Sequence, residues 1–234
     1  MAAPVHGLSA AEIGIILLSL RVATASVLAS LPIAILVAYV LARCEFPGKT
    51  LVDAAVHLPL VLPPVVVGFA LLVLFGRHGP IGRGLESVFG IVVAFRWTGA
   101  ALASAVMGFP LMVRAIRLSI DAIDRRLETA ARTLGGSRPW VFASITLPLA
   151  LPGIVTGVLL AFARGLGEFG ATIMFAGSLQ RVTQTLPLAI YAVLQVPGGE
   201  AQAWRLAAIS MTVAVAGLIA AELLQRWARR RLEG

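Results

Sequence analysis

Five apolar runs punctuate this chain, separated by polar turns rich in Arg, Gly and Pro. A bilayer core of about 30 Å takes roughly 20 apolar residues as helix. The first run, Ile13 to Ala42, carries a single charge, Arg21. Pro32 inside it removes a helix hydrogen bond and is expected to kink it. The second, Leu51 to Phe75, contains Pro59 and the pair Pro63-Pro64, and leads into a Gly-, Pro- and Arg-rich loop, Gly76 to Gly84. The third, Trp97 to Val113, is followed by Arg114 and Arg117 on one helical face. The most polar part of the chain, Asp121 to Arg138, comes next. The fourth, Leu149 to Ala176, has Arg164 and Glu168 inside it. The fifth, Leu206 to Ala221, is short, and Arg205 and Arg226 are expected to snorkel at its ends. Val88 to Phe95 and Leu186 to Val196 are too short to cross and are expected at the outer surface or packed against protein. The pattern predicts an all-α, polytopic transmembrane helical bundle in one domain over 1–234. Its spans fall near 13–42, 51–75, 97–120, 149–176 and 204–226, and an inner-face segment covers 124–148.

Composition supports a membrane over water. Of 234 residues, 59% are hydrophobic and 13% charged, where soluble domains carry about 25%. The net charge of +8 is not a nucleic-acid footprint, because the Arg residues sit at the ends of apolar runs and form no basic stripe interleaved with aromatics. Their placement sets an orientation instead. With the N-terminus outside, twelve of the 19 Lys and Arg side chains fall on the inner side, five outside and two (Arg21 and Arg164) within spans. That bias predicts N-out, C-in, although Arg77, Arg83 and Arg96 run against it. No internal repeat is visible, which argues against an inverted-repeat carrier. Met1 to Glu12 lacks the basic start of a secretory signal, so the first run is read as a retained helix. The chain stops at Gly234 after Arg229-Arg230-Arg231, leaving no expected regulatory domain.

Candidate chemistry is sparse. The single cysteine, Cys44, excludes an internal disulfide or a multi-cysteine metal site. His57 has no second ligand in sight and is expected to be a hydrogen-bonded helper. No nucleophile–base–acid set exists, so no catalytic residue, metal or cofactor is expected. Gly48-Lys49-Thr50 imitates the end of a phosphate-binding loop, but position 43, where the loop needs its first glycine, is Arg. No nucleotide site is expected on this chain.

The segment between the third and fourth runs is the most specific. In Asp124-Arg125-Arg126-Leu127-Glu128-Thr129-Ala130-Ala131-Arg132-Thr133-Leu134-Gly135, the residues Leu127, Ala130, Ala131 and Leu134 form one apolar helical stripe. Gly135-Gly136 can stop that helix in a left-handed cap. Pro139 suits the first turn of a second helix leading to Leu147-Pro148. This resembles the coupling motif of ABC importer permeases, E-A-A-x-x-x-G followed after nine residues by I-x-L-P. Ala130, Ala131, Gly135 and Ile145-Thr146-Leu147-Pro148 match the motif. Its acidic position is Thr129, with Glu128 one residue earlier. The resemblance implies that Glu128, Thr129, Ala130, Ala131, Gly135, Ile145, Leu147 and Pro148 belong to a short inner helix docking on an ATPase.

Two further blocks, His57 to Gly68 and Ala163 to Thr172, with Phe109 to Arg114, resemble the permease subunit of molybdate ABC importers. Sulfate and tungstate permeases share the Gly-Glu-Phe-Gly block, so a tungstate or sulfate permease is the alternative, and a non-transport membrane scaffold a more distant one. The resemblance implies a multi-pass protein of the bacterial inner membrane working as a homodimer. Its partners would be two copies of an ATP-binding subunit and an extracytoplasmic oxyanion-binding protein. Pro63, Pro64, Arg164, Glu168 and Phe169 are the candidate pathway or gate residues. Arg164 and Glu168 are four apart and can pair on one helix face; they either line the anion path or fix helix packing. Pro63-Pro64 is either a cavity-lining break or a tolerated kink. Gly165, Gly167 and Gly170 serve close helix approach or a hinge.

Overall fold

The computed structural model describes residues 8–233, with side chains described up to position 217 and at 219 and 220. Met1 to Gly7 and Gly234 lie outside the described residues, as do the side chains of the basic cap, Arg226 and Arg229 to Arg231. Helix follows helix in chain order: α1 (Ala10–Arg43), α2 (Lys49–Val61), α3 (Pro64–Phe75), α4 (Pro80–Phe89), α5 (Trp97–Asp121), α6 (Arg125–Thr133) and α7 (Arg138–Val141). A π-helical turn (Phe142–Thr146) comes next, then α8 (Leu147–Leu149), α9 (Leu151–Leu166), α10 (Gly170–Phe175), α11 (Leu186–Leu194) and α12 (Glu200–Glu233). Among the described residues there is no strand, as expected for an all-α bundle.

Local chemistry explains most helix ends. α1 opens on a capping box: the Ser9 hydroxyl accepts from the Glu12 N–H, and the Glu12 carboxylate accepts from the Ser9 N–H at 2.7 Å. Helices α3, α4, α7 and α11 each carry proline in the first turn, where a missing N–H costs nothing. α1 continues as one helix through Pro32.

α1, α5 and α9 form the centre of the bundle. Arg21 stacks 3.8 Å over the Trp97 ring at one end, and Arg43 donates to the Ile123 carbonyl at the other, so α1 and α5 run parallel. α9 runs against both, with Gly165 beside Ala23 and Ser26 and Gly153 beside Ser119. Small residues make this possible. Gly153, Gly157, Ala161 and Gly165 recur every four positions on α9 and are all buried. They face the Ala- and Ser-rich stripe of α1 and the Met112 backbone of α5. In a bilayer, where lipid is as apolar as Leu, such close backbone approach is what holds helices together. Val27, Ala34, Ala38, Leu41, Met112, Val113, Ile116 and Ile120 fill the core between them.

The second run is broken at Pro63-Pro64, as its sequence allowed: α2 and α3 meet at 115°, because Leu62, preceding proline, is extended and neither proline can donate to the ladder. Three sequence expectations change. The fourth run is broken once inside, where Gly167 to Phe169 separates α9 from α10, and it is bent by 68° at its start, where Arg138–Leu149 meets α9 near Pro148 and Pro152. The loop expected over Gly76 to Gly84 turns helical at Pro80. Arg205 is not a free snorkelling end: it meets Glu12 of α1 at 2.8 Å. Among the described residues, two helices are long and apolar enough to cross a membrane, and four if each bent pair counts as one span.

Candidate functional site

Two groups of residues stand out, at different heights of the bundle. The first is the segment 124–148. Asp124 caps α6, its carboxylate accepting from the Arg126 N–H at 2.9 Å. At the other end Gly135 sits at φ +92, its N–H bonded to the Arg132 carbonyl and that of Gly136 to Ala131. This is the Schellman stop, in the left-handed conformation glycine adopts without strain. α6 therefore begins and ends where its own sequence dictates.

The stripe on α6 does not turn inward as a unit. Ala131 is buried, while Leu127 is 50% exposed and Leu134, at 88%, is almost bare. Ala130 and Thr129 are also exposed, and Thr129 only returns a hydrogen bond to the Arg125 carbonyl. Trp140, 55% exposed, lies with Leu134, Gly135 and Gly136 around a shallow depression. An apolar tip is thus left exposed, on a segment whose Arg126, Arg132 and Arg138 are exposed as well.

Glu128 does the opposite. Its Oε1 accepts from Arg43 Nε at 3.1 Å and from Thr146 Oγ at 2.8 Å. The Arg43 side chain is only 7% exposed and that of Glu128 16%. Arg43 also donates to the Ile123 carbonyl, and Arg125 to the Ala42 carbonyl at 3.1 Å. Ile145, Leu147 and Pro148 are half-buried on the π turn and α8 just beyond, where Phe142 packs edge-on against Tyr39 of α1 at 4.9 Å. Beside this junction, Arg117 pairs with Asp53 at 2.9 Å, joining α5 to α2. His57 Nδ1 lies 2.8 Å from the Asp53 carbonyl oxygen, a local contact of the kind expected.

The second group surrounds the break between α9 and α10. Arg164 and Glu168 pair at 2.6 Å, although Glu168 lies past the end of α9 and not on a continuous helix face. The Glu168 side chain is 1% exposed and that of Arg164 28%. The other carboxylate oxygen of Glu168 accepts the Ala171 N–H at 2.8 Å and so caps α10. Phe169 packs on Tyr191 with ring centroids 5.1 Å apart.

Pro63 and Pro64 come to the same place. A Cβ on Gly170 would lie 2.8 Å from the Pro64 Cβ, and one on Gly68 2.5 Å from the Ala171 carbonyl oxygen. The proline corner and the Gly-Glu-Phe-Gly corner therefore lock together. Gly165 packs against Ala23 and Ser26 of α1. Gly165 and Gly170 are thus close-approach residues, and Gly167 ends α9 as its C-cap.

The two groups are linked by α1 and α9. From Ser26, which faces Gly165, to Arg43 is 17 residues, roughly 26 Å of helix. Sequence reasoning found Glu128, Arg164 and the prolines but missed Arg43 and Thr146. Their one signal was position: Arg43 at the polar stop of the first run and Thr146 inside I-x-L-P.

The helical bundle thus carries an exposed, apolar-tipped basic segment at one end and two interlocked helix breaks further along, and its relatives show which class of membrane protein it is. The chain belongs to the binding-protein-dependent transport system inner membrane component family, matched over residues 30–234. It is similar to the molybdenum transport system permease protein ModB of Escherichia coli K12, 57% identical over 92% of this chain and 94% of that one. The ModB protein of Haemophilus influenzae is 52% identical over 94% and 96% of the two chains. The fold matches a chain of the bacterial alginate ABC transporter in complex with alginate pentasaccharide-bound periplasmic protein. That match has a TM-score of 0.71 at 20% identity and covers 96% of this chain and 80% of that one. This protein is accordingly a permease subunit in the inner membrane.

Proposed function

We propose that this chain is the permease subunit of an ATP-driven importer of molybdate, acting as a homodimer. Two copies of a separate ATP-binding subunit sit on the α6 face, and an oxyanion-binding protein docks at the opposite end. The observation that carries the substrate is 57% identity over nine-tenths of the chain to a molybdenum permease. The exposed apolar tip of α6 supports the ATPase contact: Leu134 is 88% exposed, and Leu127 and Trp140 of the same segment are exposed with it. Arg43, which stands where a phosphate loop needs glycine, is committed to Glu128, in keeping with nucleotide chemistry residing on another subunit.

The mechanism follows from these placements. Closure of the ATP-bound pair of motor subunits displaces α6, and the movement passes along α1 and α9 to the interlocked breaks. Two copies place two such breaks around a central path, since one five-helix bundle has little room for a private channel, and closed symmetric assembly is the common solution. Arg164 supplies positive charge near the path, and Glu168 limits it. A bare Arg would hold a divalent oxyanion too firmly for release, whereas a paired one attracts it weakly.

The test is uptake of labelled molybdate into vesicles carrying the chain, its ATP-binding partner and the binding protein. ATP-dependent uptake that excess tungstate suppresses and excess sulfate does not is the expected result. Uptake that persists without ATP would mark an ion-driven carrier, and equal suppression by sulfate would move the substrate assignment to sulfate.

A further inference from the structure

The motif resemblance treats the acidic residue of the coupling helix as part of the surface offered to the motor. Here the only carboxylate on α6, Glu128, faces its own chain, and the position that carries acid in the motif is the exposed Thr129. We propose that Glu128 is a positioning residue for transport: one carboxylate oxygen clamps α6 to the end of α1 through Arg43 and to the π turn before α9 through Thr146. It thereby converts motor movement into movement of both helices.

Three features carry this. First, a single oxygen, Oε1, takes both bonds, at 3.1 Å and 2.8 Å, so α1 and the π turn cannot move independently of α6 while it holds. Second, the node is largely dry. Thr146 is 1% exposed and the Arg43 side chain 7%, and charge-assisted bonds in such surroundings are stronger than neutral ones. Third, the connection downstream has slack built in. The π turn bonds Leu147 N–H to the Phe142 carbonyl, five residues back, in a widened coil that runs into the 68° bend before α9. π turns are rare and recur at functional places because their backbone can shift register locally. α6 itself touches the bundle through little else: Ala131 is its only buried residue. Among the described residues, the other side-chain ties at this junction are guanidinium bonds to backbone carbonyls, from Arg43 to Ile123 and from Arg125 to Ala42. Without Glu128, α6 keeps only these two bonds to the end of α1 and loses its side-chain tie to the π turn before α9.

The inference rests on the proposed ATP-driven import, and the experiment separates the two. Glu128→Gln keeps the shape of the side chain and an oxygen for Thr146 but removes the charge facing Arg43. In the reconstituted full complex the variant should retain its ATP-binding subunit and hydrolyse ATP within about twofold of the parent. The number of anions moved per ATP should fall about tenfold, with KM for molybdate unchanged. Loss of the ATP-binding subunit from the complex overturns the proposal, since the carboxylate would then be a docking group. An unchanged number of anions per ATP overturns it too. In the detergent-solubilised chain alone, amide exchange over α6 and the π turn should quicken about tenfold in Glu128→Gln, and equal exchange in variant and parent refutes the clamp. That arm decides the clamp even if the parent complex shows no ATP-driven uptake, a result that would instead count against the proposed function.

Discussion

Neutralising Glu168 isolates the energetics of the central break. Its carboxylate has two separate jobs: Oε1 accepts the Ala171 N–H at 2.8 Å, and Oε2 faces Arg164 at 2.6 Å. Exchanging the two charges would confound them, because an Arg at 168 cannot accept the Ala171 bond. Glu168→Gln keeps an acceptor for Ala171 and removes only the charge. Removing one partner of a buried ion pair costs about 3–5 kcal/mol, because the other charge is left uncompensated. Arg164 is 28% exposed and can draw some water, so the low end, about 3 kcal/mol, applies. For a chain of this size each kcal/mol lowers the midpoint of unfolding by about 2–4 °C, giving a drop of about 6–12 °C. Arg164→Gln should cost a comparable amount, since it strands a carboxylate that is 1% exposed. The double variant leaves a neutral pair, and neutral replacement of a buried ion pair is often tolerated. It should therefore be about as stable as either single variant, with a coupling energy of about 2–3 kcal/mol in a double-mutant cycle. Thermal unfolding of the four proteins in one detergent measures this. Additive losses, with coupling below about 0.5 kcal/mol, would show that the two charges do not sense each other and would refute the reasoning. In vesicles, Glu168→Gln should also lower both the maximal rate and the KM for the anion, because an unpaired Arg164 holds it longer.

Other perturbations reach the remaining contacts. Gly68→Ala places a methyl 2.5 Å from the Ala171 carbonyl oxygen, a backbone atom that cannot step aside. It should cost about 1–3 kcal/mol by thermal unfolding, whereas Gly84→Ala, with nothing within 4 Å, should cost nothing of that kind. Gly135→Val should loosen α6 in amide exchange through backbone strain at φ +92 with no clash, while Gly135→Asn, tolerant of that conformation, should leave exchange near the parent value. The Lys49 ammonium hydrogen-bonds Glu45 at 2.8 Å and adds its charge, which holds the Glu45 carboxyl below its usual range. Being depressed on folding, this group lends stability above its unfolded pKa and loses it as pH falls through the lowered folded value. NMR titration should show the Glu45 pKa rising toward the ordinary range in Lys49→Met.

Helix boundaries were legible in the sequence because their causes act within about four residues. Gly135-Gly136 stops α6, and Pro139 falls in the first turn of α7. Pro63-Pro64 breaks the second run by removing N–H donors from its own ladder. The membrane class was legible as well, since apolar length alone decides whether a helix can span. The spacing of the proposed coupling segment was legible too. What each residue would touch was not legible, for a physical reason: a helix that is apolar all round carries no stripe to say which face meets protein and which meets lipid. Glu128 could equally have faced a motor. It turns inward because the fold carries Arg43, 85 residues earlier, and Thr146, 18 later, to the same point. Glu12 finds Arg205 across 193 residues, and the proline corner finds Gly170, because the fold brings α1 to α12 and α3 to α10. Sequence by itself determined the locally signalled helix ends and the kind of protein; the tertiary structure alone decided the partners, because partnership depends on which helix faces approach, and that is settled by packing over the whole bundle.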